Sequence, residues 1–289
     1  MPEYDFVVVG HSHAVAFLDG VTDWRKHIAS TTHLPSDPRY SDAFQGWFSG
    51  AFPDESLQLQ VTEPGLRSRR ILARLIPRTS ALNGAAEYVQ RDGQPNLLIQ
   101  PQFLDFLKGL PANVPIVSFI RGNEHARQML GDLPRYDFLE PEVAGLDPAA
   151  DAVPIDTIFI DQVIDTWLSV TLPTLAAIRA VTGERVIHIL PPPPRENPQS
   201  AGYFEKVGAI VREHGFAPDA IRLKWYRRYC RLLSMALGLN GCEVLPPPTE
   251  TLTKDGFLKS TLADGLTHAK LDYGKILARA IEEKIRSGK

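Results

Sequence analysis

The chain has 289 residues, 44% hydrophobic and 22% charged, an ordinary globular mixture that excludes an intrinsically disordered chain. Lys and Arg total 31 against 34 acidic residues, a net charge of −3, so the basic surplus of a nucleic-acid binder is missing. Two cysteines, Cys230 and Cys242, build no disulfide framework and fall at none of the usual zinc spacings.

The length suits one large domain or two small ones. The opening, Met1-Pro2-Glu3-Tyr4-Asp5, puts no positive charge ahead of the short apolar run Phe6 to Val9, as a signal peptide would. No segment approaches the ~18 apolar residues of a membrane span. The expectation is a soluble cytoplasmic protein with no membrane or nucleic-acid partner. No period of 20–50 residues repeats, which excludes solenoids and propellers.

In chain order, Asp5 to Gly10 is a continuous β-branched run, the pattern of a strand covered on both faces, and Ala14 to Leu18 reads as helical. Ser30 to Asp92 is rich in Pro, Gly, Ser and Arg and offers one plausible strand, Leu57 to Val61. A helix over Gln102 to Leu110 leads into a strand within Val114 to Ile120. Pro115 fits only at its beginning, because a proline farther in removes a ladder donor. Leu130 to Ile155, rich in Pro, Asp and Glu, reads as an irregular insertion over the sheet. A helix over Asp161 to Val181 leads into the strand Arg185 to Leu190, which Pro191 to Pro194 close. A helix over Arg222 to Leu239 leads into Cys242 to Leu245, closed by Pro246 to Pro248. Leu271 to Ile285 is a final amphipathic helix.

Strands alternating with helices predict an α/β fold, a three-layer α/β/α sandwich around a parallel sheet of about five strands. The reading is one domain over 1–289, with irregular insertions at about 30–92 and 130–155 on the substrate side.

Ligands of open parallel sheets bind beyond the carboxyl ends of the strands. Gly10-His11-Ser12-His13 follows the first strand and Gly122-Asn123-Glu124-His125 follows the second. Asp264-Gly265-Leu266-Thr267-His268 precedes the last helix. Serine, asparagine, aspartate and histidine at one edge form an acyl-transfer inventory. A serine hydroxyl needs a base to take its proton, and histidine titrates near neutrality. An aspartate on the other ring nitrogen would fix the tautomer. Asn123 and the Ser12 backbone N–H, at a helix start, could hold an oxyanion.

These three blocks resemble those of the SGNH (GDSL-like) hydrolases. Gly10-His11-Ser12 is similar to the first block, in which the nucleophilic serine follows strand one. Gly122-Asn123-Glu124 is similar to the third, which carries the oxyanion asparagine. Asp264 to His268, with Ala269 and then Tyr273-Gly274, is similar to the last, which carries the triad aspartate and histidine. Their order and spacing along the whole chain also match. His11 stands where the family usually has aspartate, and His268 follows Asp264 by four residues where the family usually has three. Gly84, Gly46 and Gly50 are candidates for the second-block oxyanion glycine.

The resemblance implies a serine esterase acting through an acyl-enzyme on a carbohydrate, lipid or small-molecule ester. Ser12, His268 and Asp264 would form the triad, with Asn123 and Ser12 as the oxyanion hole and no metal or organic cofactor. An acyltransferase on the same scaffold, or a non-catalytic binding protein, are the alternatives. The α/β-hydrolase elbow Gly-x-Ser-x-Gly fails twice: Ala14 replaces the last glycine, and only one strand precedes Ser12.

Each residue also has a plainer use. Ser12 and Asn123 could cap helices, His268 could bond backbone at a helix start, and Asp264-Gly265 could be only a turn. His11 and His13 alternate with Ser12, so in an extended segment they face away from it, which disfavours a metal site. Together with His125 they suit substrate orientation. In the basic aromatic helix, Lys224, Arg227, Arg228 and Arg231 share a face expected to be solvated, opposite Tyr226, Cys230, Leu233 and Leu237. His188, inside an apolar strand, is expected to be a satisfied core histidine.

Overall fold

The computed structural model describes residues 4–10, 14, 17–18, 56–61, 69–75, 89–91, 97–99, 101–120, 136–140, 148–196, 215–264 and 268–288. Its elements run β1 (Phe6–Gly10), β2 (Ser56–Val61), β3 (Arg69–Leu75), β4 (Val89–Arg91), β5 (Leu97–Ile99), α1 (Pro101–Lys108), β6 (Ile116–Phe119), β7 (Tyr136–Asp137) and β8 (Val153–Pro154). They continue with α2 (Thr157–Thr182), β9 (Val186–Ile189), α3 (Asp219–Leu239), β10 (Glu243–Leu245), β11 (Ala263–Asp264), β12 (His268–Ala269) and α4 (Leu271–Ser287). Ala14, Phe17 and Leu18 are helical.

The main sheet has the order β10-β9-β6-β1-β3-β2. Five strands are parallel and β2 closes one edge antiparallel to β3. Counting only the parallel strands along the chain, this is the doubly wound order 2-1-3-4-5. Each buried strand serves two cores because successive side chains alternate between faces. Val7, Val9, Ile116 and Val186 pack with α1, α2 and α3 on one side. Phe6, Val8, Val117 and Ile187 pack with α4 and the helical Phe17 and Leu18 on the other. The three-layer α/β/α sandwich is therefore present. Pro115 stands just outside β6, where its carbonyl accepts from the Val7 N–H at 2.9 Å.

The expectation of a single strand in 30–92 is corrected. Leu57 to Val61 does form most of β2, but β3 lies between β2 and β1 as a full member of the sheet. Only Ile71, Leu72 and Ala73 separate Arg70 from Arg74, so the apolar run is too short to read as a covered strand. The 130–155 stretch likewise contributes strands, β7 and β8, which pair parallel.

A second correction concerns the basic helix. Lys224 and Arg228 are buried, not solvated. The Lys224 ammonium donates to Asp137 Oδ1 at 2.7 Å. The Arg228 fork grips both oxygens of Asp161 at 2.5 and 2.6 Å and reaches Glu140 at 3.3 Å. Arg231 lies 3.5 Å from the same Glu140. Trp225 Nε1 donates to the Tyr136 hydroxyl at 3.0 Å, and its ring meets Phe138 edge-on. The acidic composition of 136–161 thus has a structural use: its carboxylates fasten that segment to α3, neutralising charges that could not otherwise be buried.

The direction of α4 is set by its far end. Arg185, just before β9, donates to the carbonyls of Ile285 and Lys284 at 3.0 and 2.9 Å. The same guanidinium holds Glu243, at the start of β10, at 2.5 and 3.0 Å. Its bonds hold the Glu243 carboxyl down at about 2, with burial opposing and the Lys284 ammonium, 2.8 Å away, adding to the lowering. The C-terminus of α4 is thereby fixed at the edge where β9 and β10 begin. Its 17 residues, about 25 Å of helix, carry the other end past these short strands to the edge where they finish.

Candidate active site

β1 and β6 are adjacent and parallel, and they end together, with Gly10 opposite Phe119. On its other side Gly10 pairs with Leu75 of β3. The sheet order reverses between β3 and β6 around β1, making this carboxyl end the topological switch point where doubly wound sheets bind ligands. A side chain at Gly10 has no room: a Cβ there would lie 2.7 Å from Phe119 Cβ and 2.8 Å from its carbonyl oxygen. Glycine is thus required at the last residue before the chain leaves the sheet toward Ser12.

Beyond the ends of β9 and β10 the chain forms a second layer of the same edge. Leu258 donates its N–H to the Pro194 carbonyl at 3.0 Å and bridges to Arg195. Lys259 N–H donates to Thr251, and Lys270 N–H to Leu262 at 2.7 Å. Between these last two residues lies the β11/β12 pair, in which Asp264 is directly opposite His268. The four-residue spacing therefore belongs to an antiparallel reversal, in which opposed Cα atoms stand ~4.5–5.5 Å apart. Their backbones meet despite the spacing.

His11, Ser12, His13, Asn123, His125 and the glycines Gly46, Gly50 and Gly84 lie outside the described residues. Three described boundaries bear on them: the end of β1 two residues before Ser12, the end of β6 four residues before Asn123, and the hairpin carrying Asp264 and His268. All three belong to one edge of the sheet.

A different serine–histidine pair is visible in the sheet interior. Ser118 of β6 and His188 of β9 are opposed, with Oγ and Nδ1 3.4 Å apart, and neither is exposed to solvent. The Ser118 hydroxyl also accepts from the Ile120 N–H at 3.3 Å. Burial pushes the His188 imidazole down to about 4, so it is neutral at pH 7. No substrate can reach this pair beneath the helices, and its role is structural. The expectation that His188 is satisfied holds for Nδ1 alone, since Nε2 has no hydrogen-bond partner among the described residues. The thiol of Cys230 is also buried, which pushes it up to about 12 and leaves it unreactive.

No helix among the described residues is long and apolar enough to cross a membrane. No protein-family model matches the sequence, and no curated protein matches it. Solved structures do. A GDSL-like lipase from Bacteroides thetaiotaomicron aligns with 98% of this chain and 88% of its own, at 10% identity and a TM-score of 0.42. A mutant of an acetyl-xylooligosaccharide esterase from Geobacillus aligns with 98% of this chain and 94% of its own, at 12% identity and a TM-score of 0.43. The periplasmic domain of a Salmonella lipopolysaccharide acetyltransferase aligns with 99% of this chain and 85% of its own, at 12% identity and a TM-score of 0.42. Likenesses at this level carry no argument about activity, and the fold assignment stands on the strand order and the two packed faces.

Proposed function

We propose that this protein is a serine ester hydrolase of SGNH type. Ser12 Oγ attacks the acyl carbonyl while His268 takes its proton, and Asp264 orients the imidazole. Asn123 and the Ser12 N–H hold the oxyanion. Collapse expels the alcohol, which takes its proton from His268. Water, deprotonated by the same histidine, then releases the acid from the acyl-enzyme.

The observation that carries the reading is the common edge. The ends of β1 and β6 are in register, and the Arg185 clamp on the far end of α4 sends the Asp264–His268 hairpin to that same side of the sheet. The opposition of Asp264 and His268 supports their pairing, because a carboxylate and an imidazole on neighbouring strands span such a separation. The test is hydrolysis of acetyl to octanoyl p-nitrophenyl esters by wild type and Ser12→Ala. The variant should lose ~10³-fold or more in kcat. Equal rates in both proteins, or no hydrolysis across the series, would overturn the reading.

A further inference from the structure

We propose that the β7/β8 pair and the first turn of α2 form a docking surface for another protein, and that the segment it receives is a basic amphipathic helix.

Large apolar side chains standing in solvent are few among the described residues, and more than half of them gather here. Leu139, Val153, Ile158 and Phe159 are 54, 63, 63 and 55% exposed. Pro154, beside Val153 in β8, is exposed as well. The others are scattered: Met235 and Leu239 near the end of α3, and Leu271 at the start of α4. Single exposed apolar residues need no explanation, whereas a gathered set marks a surface that another molecule covers.

Backbone pairing and one guanidinium hold the set in place. Tyr136 pairs with Val153 and Asp137 with Pro154, and the Ile155 N–H donates to the Asp137 carbonyl at 2.8 Å. Leu139 lies between Phe138 and Glu140, which are both buried, and is itself turned outward. The Arg228 guanidinium that reaches Glu140 also grips Asp161, two residues beyond Phe159. Asp156 caps α2 by accepting from the Ile158 N–H at 2.8 Å. Ile158 is two residues, ~200° around the helix, from the buried Ile160, so it points away from the core. Gln162, Asp165 and Ser169 continue this outward face, and all three are exposed. The surface is thus fixed before any partner arrives, which lowers the cost of docking on it.

Charge decides the occupant. From Tyr136 to Ile178 the chain has eight acidic residues and no lysine, arginine or histidine. α3 neutralises Asp137, Glu140 and Asp161. Asp151, Asp156 and Asp165 are exposed before, between and after the apolar residues of β8 and α2. A second copy set across a two-fold axis would press these carboxylates against one another, and an anionic membrane or a nucleic acid would be repelled. Lysines or arginines flanking an apolar stripe would pair with them instead. A helix presents such a stripe at every third or fourth residue and can lie along the outward face of α2.

The probe is a labelled peptide of ~15 residues, leucine and lysine in amphipathic helical order, with a leucine–glutamate peptide as control. Binding to the full chain is followed by fluorescence anisotropy. The lysine peptide should bind wild type and the glutamate peptide should not. Ile158→Ser with Phe159→Ser, both outside the core, should weaken it by about tenfold or more. Asp165→Lys should weaken it too, and added salt should act in the same direction. The proposal is overturned if the lysine peptide does not bind by ~100 μM, if the glutamate peptide binds as well, or if the double variant binds like wild type. Should the double variant fail to fold, Asp165→Lys decides: an unchanged affinity overturns the proposal. Sedimentation of wild type addresses the other occupants. Dimerisation that the double variant abolishes assigns the face to a second copy, and capture by phosphatidylcholine vesicles that it abolishes assigns the face to a membrane; either result overturns the proposal. Peptide binding needs no turnover, so an inactive wild type would sink the hydrolase reading and leave this result intact.

Discussion

Replacing Lys224 by methionine removes the cation from a pair whose side chains are 0% and 4% exposed. Asp137 would keep two backbone donors, the Phe138 N–H at 2.7 Å and the Ala149 N–H at 2.9 Å, but would lose its only counter-charge among the described residues. Breaking one side of a buried pair costs ~3–5 kcal/mol, and the two surviving donors put the expected loss near the lower end, about 3 kcal/mol. With a urea slope of ~3 kcal/mol/M, the midpoint should fall by ~1 M. Adding Asp137→Asn removes the stranded charge, so the double variant should be more stable than the sum of the single losses by ~1 kcal/mol or more. Urea unfolding followed by tryptophan fluorescence is a suitable assay, since Trp225 bonds Tyr136 beside this pair. A midpoint change below ~0.3 M for Lys224→Met, or strictly additive losses, would refute the account of how 136–161 is fastened to α3.

His188 makes stability depend on pH with a definite sign. Its folded value of about 4 lies below the ordinary 6.5, so the unfolded chain binds the extra proton, and stability is complete above pH 6.5 and lost as pH falls toward 4. Between pH 7 and 5 wild type should lose about 2 kcal/mol through this residue, and urea titrations of His188→Met should lose that much less. Parallel slopes for the two proteins would contradict the assignment. Gly10→Ala should destabilise by ~1–3 kcal/mol in thermal melts, because its Cβ meets the Phe119 backbone and not a flexible side-chain tip. An unchanged melting temperature would show that the ends of β1 and β6 are looser than described. Both cysteines are buried and unpaired, so Ellman's reagent should find no thiol in the native protein and two after unfolding. Rapid reaction of Cys230 in the native state would contradict its burial.

The parallel strands β1, β6, β9 and β10 were legible because each is an apolar run closed by glycine or proline, and helical periodicity precedes three of them. β3 was not. Arg69, Arg70 and Arg74 break its pattern, and only its place between β1 and β2 explains why such a sequence is a strand. The charges of α3 misled for a related reason. Spacing shows that Lys224 and Arg228 share a face, but their partners Asp137, Glu140 and Asp161 are 67 to 88 residues away. Long-range charge pairing leaves no local period to read. Of the candidate site, the types and order of residues were legible from short blocks at strand ends. The direct opposition of Asp264 and His268 was not, because the reversal between them changes what a four-residue spacing means.

The central claim is that Ser12 is an activated nucleophile at the carboxyl edge of the sheet. It is tested most directly by treating the native protein with a fluorophosphonate and mapping the adduct by mass spectrometry. The account predicts one phosphonyl group, formed as Ser12 Oγ displaces fluoride, on the peptide containing Ser12, with labelling abolished in Ser12→Ala and strongly slowed in His268→Ala. An adduct on another residue, or no adduct while the protein remains folded, would contradict it.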